Sequence, residues 1–176
     1  MPFVNTIDEL GEETVQDSIV LRTITTFNDN VVTKIGRYGL AGADSLTSVD
    51  LPNVTSVDTS GFLQCVNLES VNIPNLTAAE SYAFDFCQSL TAANFPLLTR
   101  GGYQAFGHCR NLTSVSFPLL TTAGSYFLSG CTTLQSVSLP QLSTISSYMF
   151  SSDPLLENVY IPNVTRIDSY AFLSCT

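Results

Sequence analysis

Cys65, Cys87, Cys109, Cys131 and Cys175 are the residues of this chain best suited to covalent or metal chemistry, and His108 is its one histidine. Thiols at such regular intervals would pair as disulfides, ligate a metal, or pack as small hydrophobes. A disulfide needs Cβ atoms that converge to about 3.8 Å. In-register side chains on successive layers of a stacked chain instead lie about 4.8 Å apart and point the same way. Nor does a straight column surround a metal tetrahedrally. Buried, reduced thiols are therefore the expectation. His108 reads as an exposed loop residue, since no nucleophile of the repeat stands at a recognisable spacing from it. Asp50, Asp58, Asp85 and Asp168 fall in different columns and coils, so no carboxylate pair for acid–base catalysis is implied. No catalytic, cofactor-binding or metal-binding residue is assigned, no cofactor is expected, and the chain is read as a non-enzyme.

The regularity of the thiols belongs to a larger pattern. Pro52, Pro74, Pro96, Pro118, Pro140 and Pro162 stand 22 residues apart without insertion or deletion, as do Leu46, Leu68, Leu90, Leu112, Leu134 and Leu156. One supersecondary unit written repeatedly is the signature of a solenoid. Within each unit Leu46, Val49 and Leu51, or Leu112, Val115 and Phe117, follow an L-x-x-L-x-L spacing that points all three side chains of a short strand into one stack. Proline then removes a backbone donor where the strand ends. Val54 and Val57, with Val164 and Ile167 as later counterparts, predict a second short extended segment. Phe62, Phe84, Phe106, Phe150 and Phe172 close each coil as apolar plugs, Leu128 substituting once, and Asp153 interrupts the thiol column. Gly101-Gly102 reads as a local loosening of one coil.

Shifting the frame back by one unit lays Ile24, Phe27, Val32, Ile35, Tyr38, Leu40 and Ala43 onto the same columns, with Asn30 in place of proline. The expected architecture is a β-rich solenoid of 22-residue coils with short parallel strands over residues 24–176, about seven coils with the last incomplete. Residues 1–23 read as a small, partly helical N-terminal cap. Thr6 and Glu9 have capping-box spacing, and Ile7, Leu10, Val15, Ile19 and Leu21 line a helical face. At the other end Ile167 and Phe172 are not followed by another coil, which leaves a surface for further chain or for self-association.

Composition narrows the partners. Charged residues are 12% of the chain against about 25% in ordinary soluble domains, while hydrophobic residues are 44%. Ser, Thr and Asn must therefore supply the wet surface. The net charge is −9, and residues 1–30 carry six acidic groups against Arg22 alone. Nucleic acid and anionic membranes are excluded as direct partners, because phosphate binding needs clustered Lys and Arg. No apolar run is long enough to span a bilayer, and the N-terminus lacks the basic start and apolar stretch of a signal peptide.

On the strands, Asp50, Asn72, Asn94, Ser116, Ser138 and Tyr160 share a column that alternates away from the core, and Ser48, Ser70, Ala92, Ser114, Ser136 and Asn158 lie on the other side of the inward valines. This neutral strip, rich in hydroxyls and amides, is the candidate binding face. Tyr38, Tyr82, Tyr126, Tyr148 and Tyr170 repeat in register and read as structural. Tyr103 and Tyr160 fall outside that column and are the candidate aromatic contacts.

The stretch Ile-Pro-Asn-Val-Thr-Arg-Ile-Asp-Ser-Tyr-Ala-Phe-Leu-Ser-Cys at residues 161–175 resembles the BspA-like, or treponemal-type, leucine-rich repeat, and the likeness extends over residues 24–176. That resemblance implies a non-catalytic scaffold for binding and adhesion, found in bacterial surface proteins, some protist proteins and phage or prophage proteins. The expected function is a binding or structural module of a phage virion, in tail, baseplate or fibre, contacting a host surface or neighbouring subunit. Bacterial cell-surface adhesin and intracellular interaction scaffold are the alternatives. A protein or a surface glycan is the expected partner, with no nucleic acid and no membrane insertion.

Overall fold

The structure, a computed structural model, describes residues 9–10 and 23–175. Two columns of short parallel strands run along a stack of coils. The longer strands are Thr26–Asn28, Ser48–Asp50, Ser70–Asn72, Ala92–Asn94, Ser114–Ser116, Ser136–Ser138 and Asn158–Tyr160. The shorter are Glu9–Leu10, Lys34–Ile35, Ser56–Val57, Ala78–Ala79, Arg100–Gly101, Thr122–Ala123, Thr144–Ile145 and Arg166–Ile167. From Thr26 onward, residues pair with their equivalents 22 positions away, as in Val49 with Val71 and Val137 with Val159. Glu9–Leu10 extends the second column by pairing with Lys34–Ile35. A strand thus stands where Leu10 was expected on a helical face; the rest of the proposed cap lies outside the described residues.

The core is the set of columns read from the sequence. Leu46, Leu68, Leu90, Leu112 and Leu134 are fully buried, as are Phe62, Phe84, Phe106 and Phe150. Phe62, Phe84 and Phe106 stack with ring centroids 5.0 Å apart at each step and planes 8° from parallel. Phe95, Phe117 and Phe127 pack against this row, each ring burying surface worth about 1.5–3 kcal/mol. All five cysteines are free. Each thiol donates to the carbonyl 25 residues earlier, from Cys65 to Leu40 at 3.0 Å through Cys175 to Phe150 at 2.9 Å. The column is thus a hydrogen-bond ladder as well as filling.

Polar columns have comparable jobs. Thr77, Thr99 and Thr121 each donate a hydroxyl to the carbonyl 22 residues back, at 3.0–3.1 Å. Asn53, Asn75 and Asn163, which follow prolines, donate their amides to the carbonyls of Asn30, Pro52 and Pro140. Each coil turns through two left-handed residues four apart, such as Tyr148 and Ser152 at φ 57° and 63°. The first column holds Tyr38, Ser60, Tyr82, Gln104, Tyr126, Tyr148 and Tyr170, and glycine serves the second only at Gly42 and Gly130.

Gly101-Gly102 is tight packing, not loosening. A Cβ on Gly101 would enter the Phe127 ring, and one on Gly102 would meet the Ser81 backbone. Phe127 explains this need. Its column otherwise holds Gly39, Gly61, Ala83, Ala105 and Ala171, except that Met149 follows it, and both large side chains are fully buried. Ladders break beside them: neither Ser114–Ser116 with Ser136–Ser138 nor Thr122–Ala123 with Thr144–Ile145 is paired. Between Ser70–Asn72 and Ala92–Asn94 only the longer column is interrupted, because Ala78–Ala79 still pairs with Arg100–Gly101. At the doubly interrupted junction the turn side remains joined, through Tyr126 to Ser147, Leu128 to Met149 and Gly130 to Ser151 at 2.9–3.0 Å. On the strand side Ser146 Oγ donates to the Ala123 carbonyl, so a side chain bridges the junction where the shorter ladder is missing.

Candidate functional site

The strands carry valine or alanine inward between two outward residues, so the strip is positioned by simple alternation. Asp50, Asn72, Asn94, Ser116, Ser138 and Tyr160 are all exposed. They do not form one uniform surface. Asn72 donates to Asp50 at 2.7 Å, so the first part of the strip is internally satisfied. Ser116, Ser138 and Tyr160 have no side-chain partner within the described chain.

Over the doubly interrupted junction lies a groove of about 460 Å³, lined by Ser114, Val115, Ser136, Val137, Ser138, Asn158, Val159 and Tyr160. It takes residues from both outward columns, with the valines as floor. Tyr160, 62% exposed, forms one wall. None of these residues is Asp, Glu, Lys or Arg, and none of the polar side chains is tied to another described residue, in contrast to the threonine columns.

Tyr103 lies elsewhere. Although one position out of register with the other tyrosines, its ring sits between Tyr82 at 5.3 Å and Tyr126 at 5.5 Å. The row continues through Tyr148 and Tyr170 with centroid steps of 4.6 and 5.0 Å. Partial desolvation, then the neighbouring phenols, push the Tyr103 hydroxyl up. Because Tyr126 and Tyr148 stack face to face, within 4° of parallel, their shared faces are not open to a ligand. Gln104 occupies the left-handed position at φ 52°, which accounts for the one-residue offset.

His108 is not a free loop residue. Its Nδ1 lies 3.0 Å from Oδ1 of buried Asp85, Gln104 Nε2 donates to the other Asp85 oxygen at 3.1 Å, and the ring stacks on Phe86 at 4.2 Å. Burial pushes the Asp85 carboxyl up, against the opposing effect of the His108 and Gln104 hydrogen bonds. The pair spans 23 residues, one more than the repeat, and this diagonal offset was the available signal. The thiols are likewise unsuited to ionisation. Burial pushes Cys65 up to about 12 and Cys87 well above its usual value.

Asp153 takes a thiol's place with no exposure, and neither carboxyl oxygen has a hydrogen-bond partner. Burial pushes it up to about 8; the backbone amides of Cys131 and Gly130 offset part of that shift without forming complete hydrogen bonds. Among the described residues no group of His, Cys, Asp and Glu side chains could hold a metal ion, and no helix is long and apolar enough to cross a membrane. On the last described coil Ile167 is 61% and Phe172 37% exposed.

A family model described as the BspA type leucine rich repeat region, in six copies, matches residues 1–100 and 55–176. The chain is similar in structure to a leucine-rich repeat protein of T. pallidum, with a TM-score of 0.74 and 22% identity over 81% of this chain and 72% of that one. A leucine-rich repeat protein of Bacteroides ovatus aligns with a TM-score of 0.59 and 23% identity, over 82% of this chain and 48% of that one. These likenesses show a shared fold. No curated protein matches the sequence.

Proposed function

The chain belongs to the BspA-type leucine-rich repeat family, and on that premise we propose that it is a cell-surface binding module of a bacterium whose working face is the strand strip around Ser116, Ser138 and Tyr160. The family's solenoid is a non-catalytic binding scaffold. One observation supports the choice of face. The groove gathers hydroxyl, amide and phenol groups that satisfy nothing among the described residues, where neighbouring columns use theirs to join coils.

The phage-virion reading has no support in the fold or the family match, which leaves the bacterial surface as the better-supported of the settings that the family resemblance implies. Adhesion at the cell surface is therefore preferred. Antibodies raised to the purified chain should label intact, unbroken cells, and its peptides should be enriched in washed envelopes. Stoichiometric peptides in purified phage-sized particles, with unlabelled cells, would overturn the assignment.

A further inference from the structure

We propose that the groove across Ser114–Ser116, Ser136–Ser138 and Asn158–Tyr160 is a subsite for a short, neutral oligosaccharide. The inference rests on the binding face assigned above and specifies its ligand. Its volume of about 460 Å³ lies within the range of small-molecule sites, about 300–1,000 Å³.

Charge comes first. In a chain of net charge −9, the groove's lining has no Asp, Glu, Lys or Arg. Such a lining neither rewards an ionic ligand nor repels a neutral one. Hydrogen-bonding capacity comes second. Ser114, Ser136 and Ser138 each offer a group that donates and accepts, and Asn158 offers both functions on one amide. Sugar hydroxyls have the same dual character, and they meet groups that have no partner among the described residues.

Shape is the third argument. Val115, Val137 and Val159 form an apolar floor, and the ring of Tyr160 stands free of the tyrosine row. A pyranose presents C–H faces to such surfaces and hydroxyls to the rim, so one ligand class satisfies both kinds of group. An extended peptide fits less well. Strand addition needs an open sheet edge; Ser114–Ser116 and Ser136–Ser138 are unpaired with each other, but their Cα atoms come within 8 Å, less than the roughly 9.6 Å that a strand inserted between them would need.

The test uses the full chain labelled with ¹⁵N and titrated separately with maltotriose, mannotriose and chitotriose to about 20 mM, a range chosen because a Kd of about 1 mM is expected from so small a contact. Sialyllactose is the anionic arm and a short Thr/Val peptide the extended-peptide arm. At least one neutral saccharide should shift amides at residues 114–116, 136–138 and 158–160. Tyr160→Ala should weaken it about tenfold and Tyr160→Phe by no more than about twofold, both with native spectra elsewhere. Silence from all three neutral saccharides overturns the inference, as does binding that Tyr160→Ala leaves intact. Peptide-induced shifts without saccharide-induced ones also overturn it, while leaving the binding face in place. The surface assignment fails separately, on unlabelled cells and chain-bearing particles.

Discussion

Replacing Asp153 by cysteine should stabilise the protein by an amount that depends on pH. The carboxyl is fully buried and unpartnered, with its titration moved from 3.8 to about 8. At about 1.4 kcal/mol per unit, the full penalty for ionising it in the folded chain is about 6 kcal/mol, of which about 4 kcal/mol is reached at pH 7. These are upper figures, because opening of the last coils lets the carboxylate reach water without global unfolding. The sign follows from the raised value. Below about pH 3.8 the acid is neutral in both states and costs nothing through ionisation. Between there and about pH 8 only the unfolded chain releases its proton, so stability falls as pH rises; above about 8 the penalty is constant. A thiol at 153 would donate to the Leu128 carbonyl, as the other thiols do to theirs, adding about 1 kcal/mol below about pH 8.5, above which the unfolded thiol ionises and the gain declines. Urea unfolding and amide exchange at residues 130–156 should be followed from about pH 4 to 9 in both proteins. The stability gap should widen by at most about 1.4 kcal/mol per unit and then level off near pH 8. A gap that is constant across the range, or a less stable variant, would refute the reasoning.

Gly101→Ala should cost about 1–3 kcal/mol by forcing a methyl into the Phe127 ring, and Phe127→Ala in the same chain should remove most of that increment; urea midpoints of the double-mutant cycle check the coupling. Ser152→Gly should raise the thermal midpoint, since the residue sits at φ 63° where a side chain costs about 1–2 kcal/mol and glycine gives back only about 0.5–1 in chain entropy. Under native conditions one thiol per chain, Cys175, should react with a disulfide reagent, the other four being buried; rapid labelling of Cys87 by mass spectrometry would contradict the ladder.

Much of the fold was legible because the repeat has no insertions, so any column of apolar residues is a column in space. Cysteine, leucine and phenylalanine positions follow from that alone. Contacts that run diagonally were harder to read. Asp85 reaches His108 across 23 residues, and Tyr103 enters a row from which its number excludes it. Column arithmetic compares equivalent positions, while side chains also meet neighbours one place along. Volume was hidden as well. Phe127 and Met149 take a column that otherwise holds glycine or alanine, and only packing shows that the ladders are interrupted and a groove lies beside them. The strip itself was legible by alternation, but its division into a self-satisfied Asp50–Asn72 part and an unpartnered Ser138–Tyr160 part depends on side-chain geometry.

The doubly interrupted junction has a mechanical consequence. Tension applied along a solenoid passes through its inter-coil contacts in series, so every junction bears the same force and the weakest yields first. Among the described residues the junction with the fewest backbone bonds lies between the coils containing Ser114 and Ser136, where both ladders are missing and backbone bonds remain at the turn edge. Residues beyond it should peel away together before the aromatic block around Phe84, Phe95 and Phe106 gives way. A ligand reaching from Ser114 to Tyr160 would lie across the yielding seam, and attachment would then reinforce the scaffold where load threatens it most.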